Sequence, residues 1–173
     1  MRDMREPFSR QRDLFTYQRR VLPVLLLWGA GSAVAGVRWW RGSQPFWQGV
    51  GMQCAAWGAI DALIALAGVR GARRKGDALA QGTISDEAHA DEARTFERIL
   101  WINGGLDVGY ALGGLFFLRR NAGHAQRRGM GTGVIAQALF LLGFDLVNAA
   151  RIRARRGAML GPQGASQTGH TAR

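Results

Sequence analysis

The chain has 173 residues, 47% of them hydrophobic, with a mean hydropathy of −0.08, so it has room for one domain and an average polarity like that of a soluble protein. Its net charge of +11 raises the question of nucleic acid. The basic residues, however, sit at the ends of apolar blocks rather than along one helix face, which excludes nucleic-acid binding and identifies them as headgroup anchors and topology signals.

In chain order, residues 1–20 are a basic juxtamembrane segment, and residues 11–20 are predicted to form a short amphipathic helix resting on an anionic leaflet. The apolar run behind them lacks a small-residue cleavage site, so a removable signal peptide is not expected. The first hairpin, 21–70, opens with an uncharged stretch at 21–37 and places Pro23 in its first turn, where a missing N–H costs little. Its second span, 46–69, is interrupted only by Asp61. Trp39, Trp40, Phe46 and Trp47 cluster at the turn, where an aromatic belt belongs.

The connection 71–97 is two-toned, with Arg73, Arg74 and Lys75 followed by Asp86, Glu87, Asp91 and Glu92. Ser85 ahead of those acids predicts a helix from about Asp86 running straight into the third span, with acids at the positive end of its dipole. The second hairpin, 98–151, holds stretches 99–118 and 129–150, each carrying a single charge, Asp107 and Asp145. Residues 152–173 are predicted to be basic and then, from Gly157, disordered. Each apolar stretch is near the ~20 residues that carry a helix across ~30 Å of hydrocarbon. The predicted fold is therefore all-α, a four-transmembrane-helix bundle of two similar hairpins.

Seventeen of the 23 Lys and Arg residues fall before residue 21, in the stretch from Arg70 to Arg98 or after residue 150, and six fall at the two hairpin turns. The positive-inside rule then puts both termini in the cytoplasm and the protein in the cytoplasmic, or inner, membrane. A shift of 84 residues aligns Gly49, Val50, Gln53, Asp61 and Ala65 with Gly133, Val134, Gln137, Asp145 and Ala149, which is read as an internal repeat.

Phe46-Trp47-x-Gly49, Gln53, Trp57-Gly58-x-Ile60-Asp61, Asn103-x-x-Leu106-Asp107-x-x-Tyr110 and Gln137 with Phe140-Leu141-Leu142-x-Phe144-Asp145 together resemble a family of small bacterial four-helix membrane proteins of unknown function. The resemblance spans residues 22–150. It implies the four-helix membrane fold and nothing about chemistry.

The three intramembrane aspartates carry most of the functional information, since each costs about 2.5–3.5 kcal/mol at a helix centre. Counted from the cytoplasmic ends of their spans, they lie at roughly 12, 12 and 8 Å depth. Helical spacing adds Gln53 above Asp61, Gln137 above Asp145, Asn103 beside Asp107, and Asn148 and Tyr110 one turn beyond an aspartate. These predict a wet core with a glutamine layer and a carboxylate layer. It is read either as a site for a proton, a cation or a cationic ligand, or as hydrogen bonding of each acid to Ser32, Asn103, Asn148 or Tyr110 that merely holds the bundle together.

Gly105, Gly109 and Gly113 repeat every four residues and form a candidate helix-packing face. Ordinary internal packing is the simpler reading of them, and contact with a second subunit the other. His89 among Glu87, Asp91 and Glu92 is read as a solvated charged helix rather than a metal site, and Cys54 as a core residue. No nucleophile–base pair is visible, and no cofactor is expected.

Three functions follow. The leading one is a non-enzymatic structural, accessory or regulatory subunit that packs through Gly- and Trp-rich faces against a second copy or a larger membrane complex, with the lipid bilayer as its constant partner. The alternative is a small proton, cation or cationic-compound carrier using Asp61, Asp107 and Asp145. The third is a lipid-headgroup enzyme with a metal on those carboxylates.

Overall fold

The computed structural model describes residues 13–160. Its first helix begins where Asp13 caps it: the carboxylate accepts the N–H groups of Phe15 and Thr16 at 2.9 and 3.1 Å, filling donors that a helix start otherwise leaves empty. Helix α1 (Leu14–Trp40) therefore starts seven residues before the uncharged stretch at residue 21. Pro23 consequently lies well inside the helix rather than in its first turn, and has no N–H to give the Arg19 carbonyl.

Pro45 occupies the first turn of α2 (Pro45–Ala80), where its fixed φ suits a helix start. Ser85 caps α3 (Asp86–Arg120) by accepting the Ala88 N–H at 3.2 Å, the start predicted from the sequence. The connection 71–97 is thus nearly all helix, broken only at residues 81–85, where Gly82 takes a φ of +71° that a side chain would resist. Helix α4 (Ala125–Leu160) runs through Gly157, so residues 157–160 are helical rather than disordered. Residues 1–12 and 161–173, including the start of the predicted amphipathic segment and the rest of the predicted disordered tail, lie outside the described residues.

Glycines decide how the helices meet. α1 and α2 are antiparallel, with Gly29 against Gly58 and Ala62, and Gly36 against Gly51, Cys54 and Ala55. A Cβ on Gly29 would come within 2.5 Å of the Ala62 nitrogen, so the two backbones touch. α3 and α4 form the second antiparallel hairpin, where a Cβ on Gly131 would lie 2.8 Å from the Gly114 oxygen. Between the hairpins, α2 and α4 run parallel, with Gly49 against Gln126 and Met130, Gly129 against Phe46, and Gly133 against Gln53. The close-packed pairs are therefore α1–α2, α2–α4 and α3–α4, while α2 and α3 are not one.

Residues facing each other across α2–α4 differ by 77 to 83 in number, against the shift of 84 between the repeated motifs. Asp145 consequently sits on average about one turn nearer the end that carries the termini than Asp61 does.

At that terminal end the first turns of α1 close the bundle. Leu14, Phe15 and Tyr17 are buried with Ala93, Leu100, Ala149 and Ile152, so the described part of the predicted amphipathic segment (from Leu14) packs against protein on this side. His89 faces the same junction: its Nε2 lies 3.1 Å from the Leu14 N–H, which it accepts, and 3.1 Å from Asp13 Oδ1. It latches α3 to the start of α1, away from a metal-ligand arrangement with its acidic neighbours.

Each of the four helices is long and apolar enough to cross a membrane. Their outward faces are mainly apolar, with Leu27 and Val34 about three-quarters exposed (74% and 75%), while Asp61, Asp107, Gln137, Asp145 and Asn148 turn inward. Gly105, Gly109 and Gly113 do not follow the internal-packing expectation, because a Cβ on any of them would meet nothing within 4 Å. The interior contacts fall instead to the other glycines of α3, Gly104 and Gly114.

Candidate functional site: a buried carboxylate layer

Asp61 on α2, Asp107 on α3 and Asp145 on α4 all turn into the bundle and retain 5%, 5% and 6% exposure. Each is followed one turn later by a small residue, Ala65, Ala111 or Ala149, which leaves room for three helices to bring their acids together. Asp107 faces the same small space as Trp57 and Leu141, the residues one turn before Asp61 and Asp145. Among the described residues no ion pair reaches them. The Oδ2 atoms of Asp61 and Asp107 are enclosed and have no hydrogen-bond partner among the described residues.

The donors expected to satisfy these acids are engaged elsewhere or turned away. Asn148, 4% exposed, accepts the Tyr17 hydroxyl at 2.5 Å and donates to the Phe144 carbonyl at 2.6 Å. Ser32 packs against Gly58 in the α1–α2 contact. Asn103 is exposed and stands outside the layer. Tyr110 is 44% exposed and sets its ring edge-on to Trp57, with centroids 5.1 Å apart.

The two glutamines part company. Gln137 is 2% exposed and accepts the Trp28 indole N–H at 2.8 Å, while the Trp28 ring stacks on Phe140 at 3.8 Å. Gln53 is only half-buried and lines a groove between α2 and α3. Buried Cys54 lies beside Gln137. Tyr17, Trp28 and Trp57 were absent from the sequence-derived set. Trp28 did carry a signal, since an indole N–H inside an uncharged span requires an acceptor. Tyr17 carried none, because it lay in a segment read as juxtamembrane.

Trp57, Asp107, Tyr110, Val134, Gln137, Ala138 and Leu141 surround a void of about 10 Å³, near the least space that holds one water. Among the described residues no three His, Cys, Asp or Glu side chains converge as a metal site. The carboxylates are thus neighbours without chelating geometry. An ionised carboxylate among apolar side chains carries a large solvation cost unless a proton or a cation accompanies it.

No curated protein and no solved structure matches the chain. The model of a family of unknown function, DUF6992, matches residues 24–146, a stretch that holds all three aspartates and both glutamines. The chain belongs to that family.

Proposed function

We propose that the protein is a small integral carrier of the cytoplasmic membrane, both termini inside, that takes up protons or a cationic compound on Asp61, Asp107 and Asp145. The observation that supports this reading most is the pair of enclosed, unpartnered carboxylate oxygens on Asp61 and Asp107. Bundle-holding acids would be hydrogen-bonded, because an unsatisfied buried acceptor forfeits about 1–3 kcal/mol. A stability cost kept at one level of the bundle is characteristic of a working site.

The test pairs binding with stability. In purified protein, Asp61→Asn and Asp107→Asn are expected to abolish proton uptake by the layer and any coupled cation flux in liposomes. The same variants should hold or raise thermal stability in detergent by up to about 2 kcal/mol, since they remove charge from a crowded, unpaired site. Unchanged uptake together with a lowered melting temperature would instead assign the acids a purely structural role.

The accessory-subunit reading keeps one supporting observation, the bare Gly105–Gly109–Gly113 face, which is shaped to let another helix approach closely. Purification from the native membrane in mild detergent, with a stoichiometric partner identified by mass, would favour it.

A further inference from the structure

We propose that the groove between α2 and α3 is a lateral binding site for a lipophilic organic cation, with the Trp57–Tyr110 ring pair standing between it and the carboxylate layer. This rests on the carboxylate reading above and names the class of compound that the same site takes. The groove has a volume of about 310 Å³, and Gln53, Gly109, Tyr110, Gly113, Phe117 and Met130 are among the residues lining it. It exists because α2 and α3 are not close-packed and because α3 presents glycines there: a Cβ on Gly109 or Gly113 would enter open space.

Its inner end leads toward the acids. Tyr110 and Val134 line both the groove and the small void that touches Asp107. Along α2, Gln53, Trp57 and Asp61 follow one another at single-turn spacing, so the groove, the aromatic pair and the carboxylates form three successive levels. The Trp57 and Tyr110 rings meet at 64°, offering π surface at the passage.

Each level selects a different property of the ligand. The groove wall is mainly apolar, so a bare inorganic ion would lose its hydration there without compensation. The aromatic pair attracts positive charge over its ring faces. Behind it, the carboxyl groups of Asp61 and Asp107, each with an enclosed oxygen that has no partner among the described residues, can give up a proton and pair with the cation. A lipid acyl chain would fit the apolar wall alone and would make no use of the other two levels.

The test uses the purified full-length protein with tetraphenylphosphonium as probe. Binding is measured by equilibrium dialysis, and proton release on probe addition by a pH indicator. Gly113→Leu fills the groove without colliding with backbone and is expected to weaken probe binding by about tenfold or more; Gly109→Leu should do the same from one turn away. Gly31→Leu, the same change in open space on α1 away from the groove, should bind as wild type does, and Asp107→Asn should lose both probe binding and the accompanying proton release.

Absence of saturable binding in the wild type, or unchanged binding in both leucine variants, would overturn the groove proposal and leave the groove to lipid. Proton uptake measured without the probe separates the two ideas. If uptake persists in the wild type and vanishes in Asp107→Asn while the probe fails to bind, only the groove proposal falls. If Asp107→Asn leaves uptake intact, the carboxylate reading falls and takes the groove proposal with it.

Discussion

The Tyr17 hydroxyl, the Asn148 amide and the Phe144 carbonyl form a short chain of hydrogen bonds, and the Arg155 guanidinium lies 4.5 Å from the centre of the Tyr17 ring. Every polar atom in this chain is accounted for, within one turn of Asp145, so the unpartnered oxygens of Asp61 and Asp107 do not reflect loose packing of the whole interior. Tyr17→Phe should therefore lower stability by about 1–3 kcal/mol, because it strands the Asn148 oxygen in a buried site. Thermal melting in detergent measures it. Asp61→Asn should move the same midpoint the opposite way or not at all. The contrast between two buried polar groups, one satisfied and one not, separates scaffold from site.

Among the elements, α1, α2 and α4 are held by backbone approach rather than by large interlocking side chains. A Cβ on Gly36 would collide with the backbone at Ala55, and one on Gly129 with the Phe46 carbonyl. Neither obstacle is a flexible side-chain tip. Gly36→Ala and Gly129→Ala are accordingly expected to cost about 1–3 kcal/mol through overpacking, seen as a lowered melting temperature. Gly105→Ala meets open space and should be neutral or stabilise by up to about 1 kcal/mol, since glycine is a weak helix former. A loss of stability at Gly105→Ala comparable to that at Gly129→Ala would show that the bare face is covered in the assembled protein, and would favour the accessory-subunit reading.

At the scale of the whole molecule, the two hairpins meet along α2 and α4 and are tied together by the buried cluster at the terminal end. Toward the hairpin turns α2 and α3 stay apart, and the groove opens there. The arginine distribution predicts that the terminal end is cytoplasmic. In a Cys54→Ala background, Ser43→Cys should react with a membrane-impermeant maleimide on the outside of intact cells. Thr83→Cys should react only after permeabilisation. The reverse pattern would invert the topology and place the groove in the inner leaflet.

Four spans were legible because about 20 uninterrupted apolar residues have one common physical solution, a helix whose backbone bonds are all internal. Ser85 ahead of Asp86 and Glu87 sufficed to place the start of α3, since a cap acts through its own next turn. Asp13 caps α1 ahead of the apolar run because the first turns of that helix are buried by α2, α3 and α4, contacts made by residues far away in the chain. The aspartates could be assigned to the interior because an unpaired charge has no other tolerable place in a span. Asn103 had the right spacing for the same face and is exposed; Gly104 takes the inward position, against Leu142 and Leu146. A step of four residues drifts about 40° round a helix, and α3, close-packed against α4 alone, has too narrow a buried stripe to absorb the drift. The sequence by itself therefore determined what must be helical and which charges must be hidden, both consequences of hydrocarbon as solvent. Only the tertiary structure decided which glycines touch, which are bare and whether a buried acid finds a donor, because those depend on which neighbour each helix face meets.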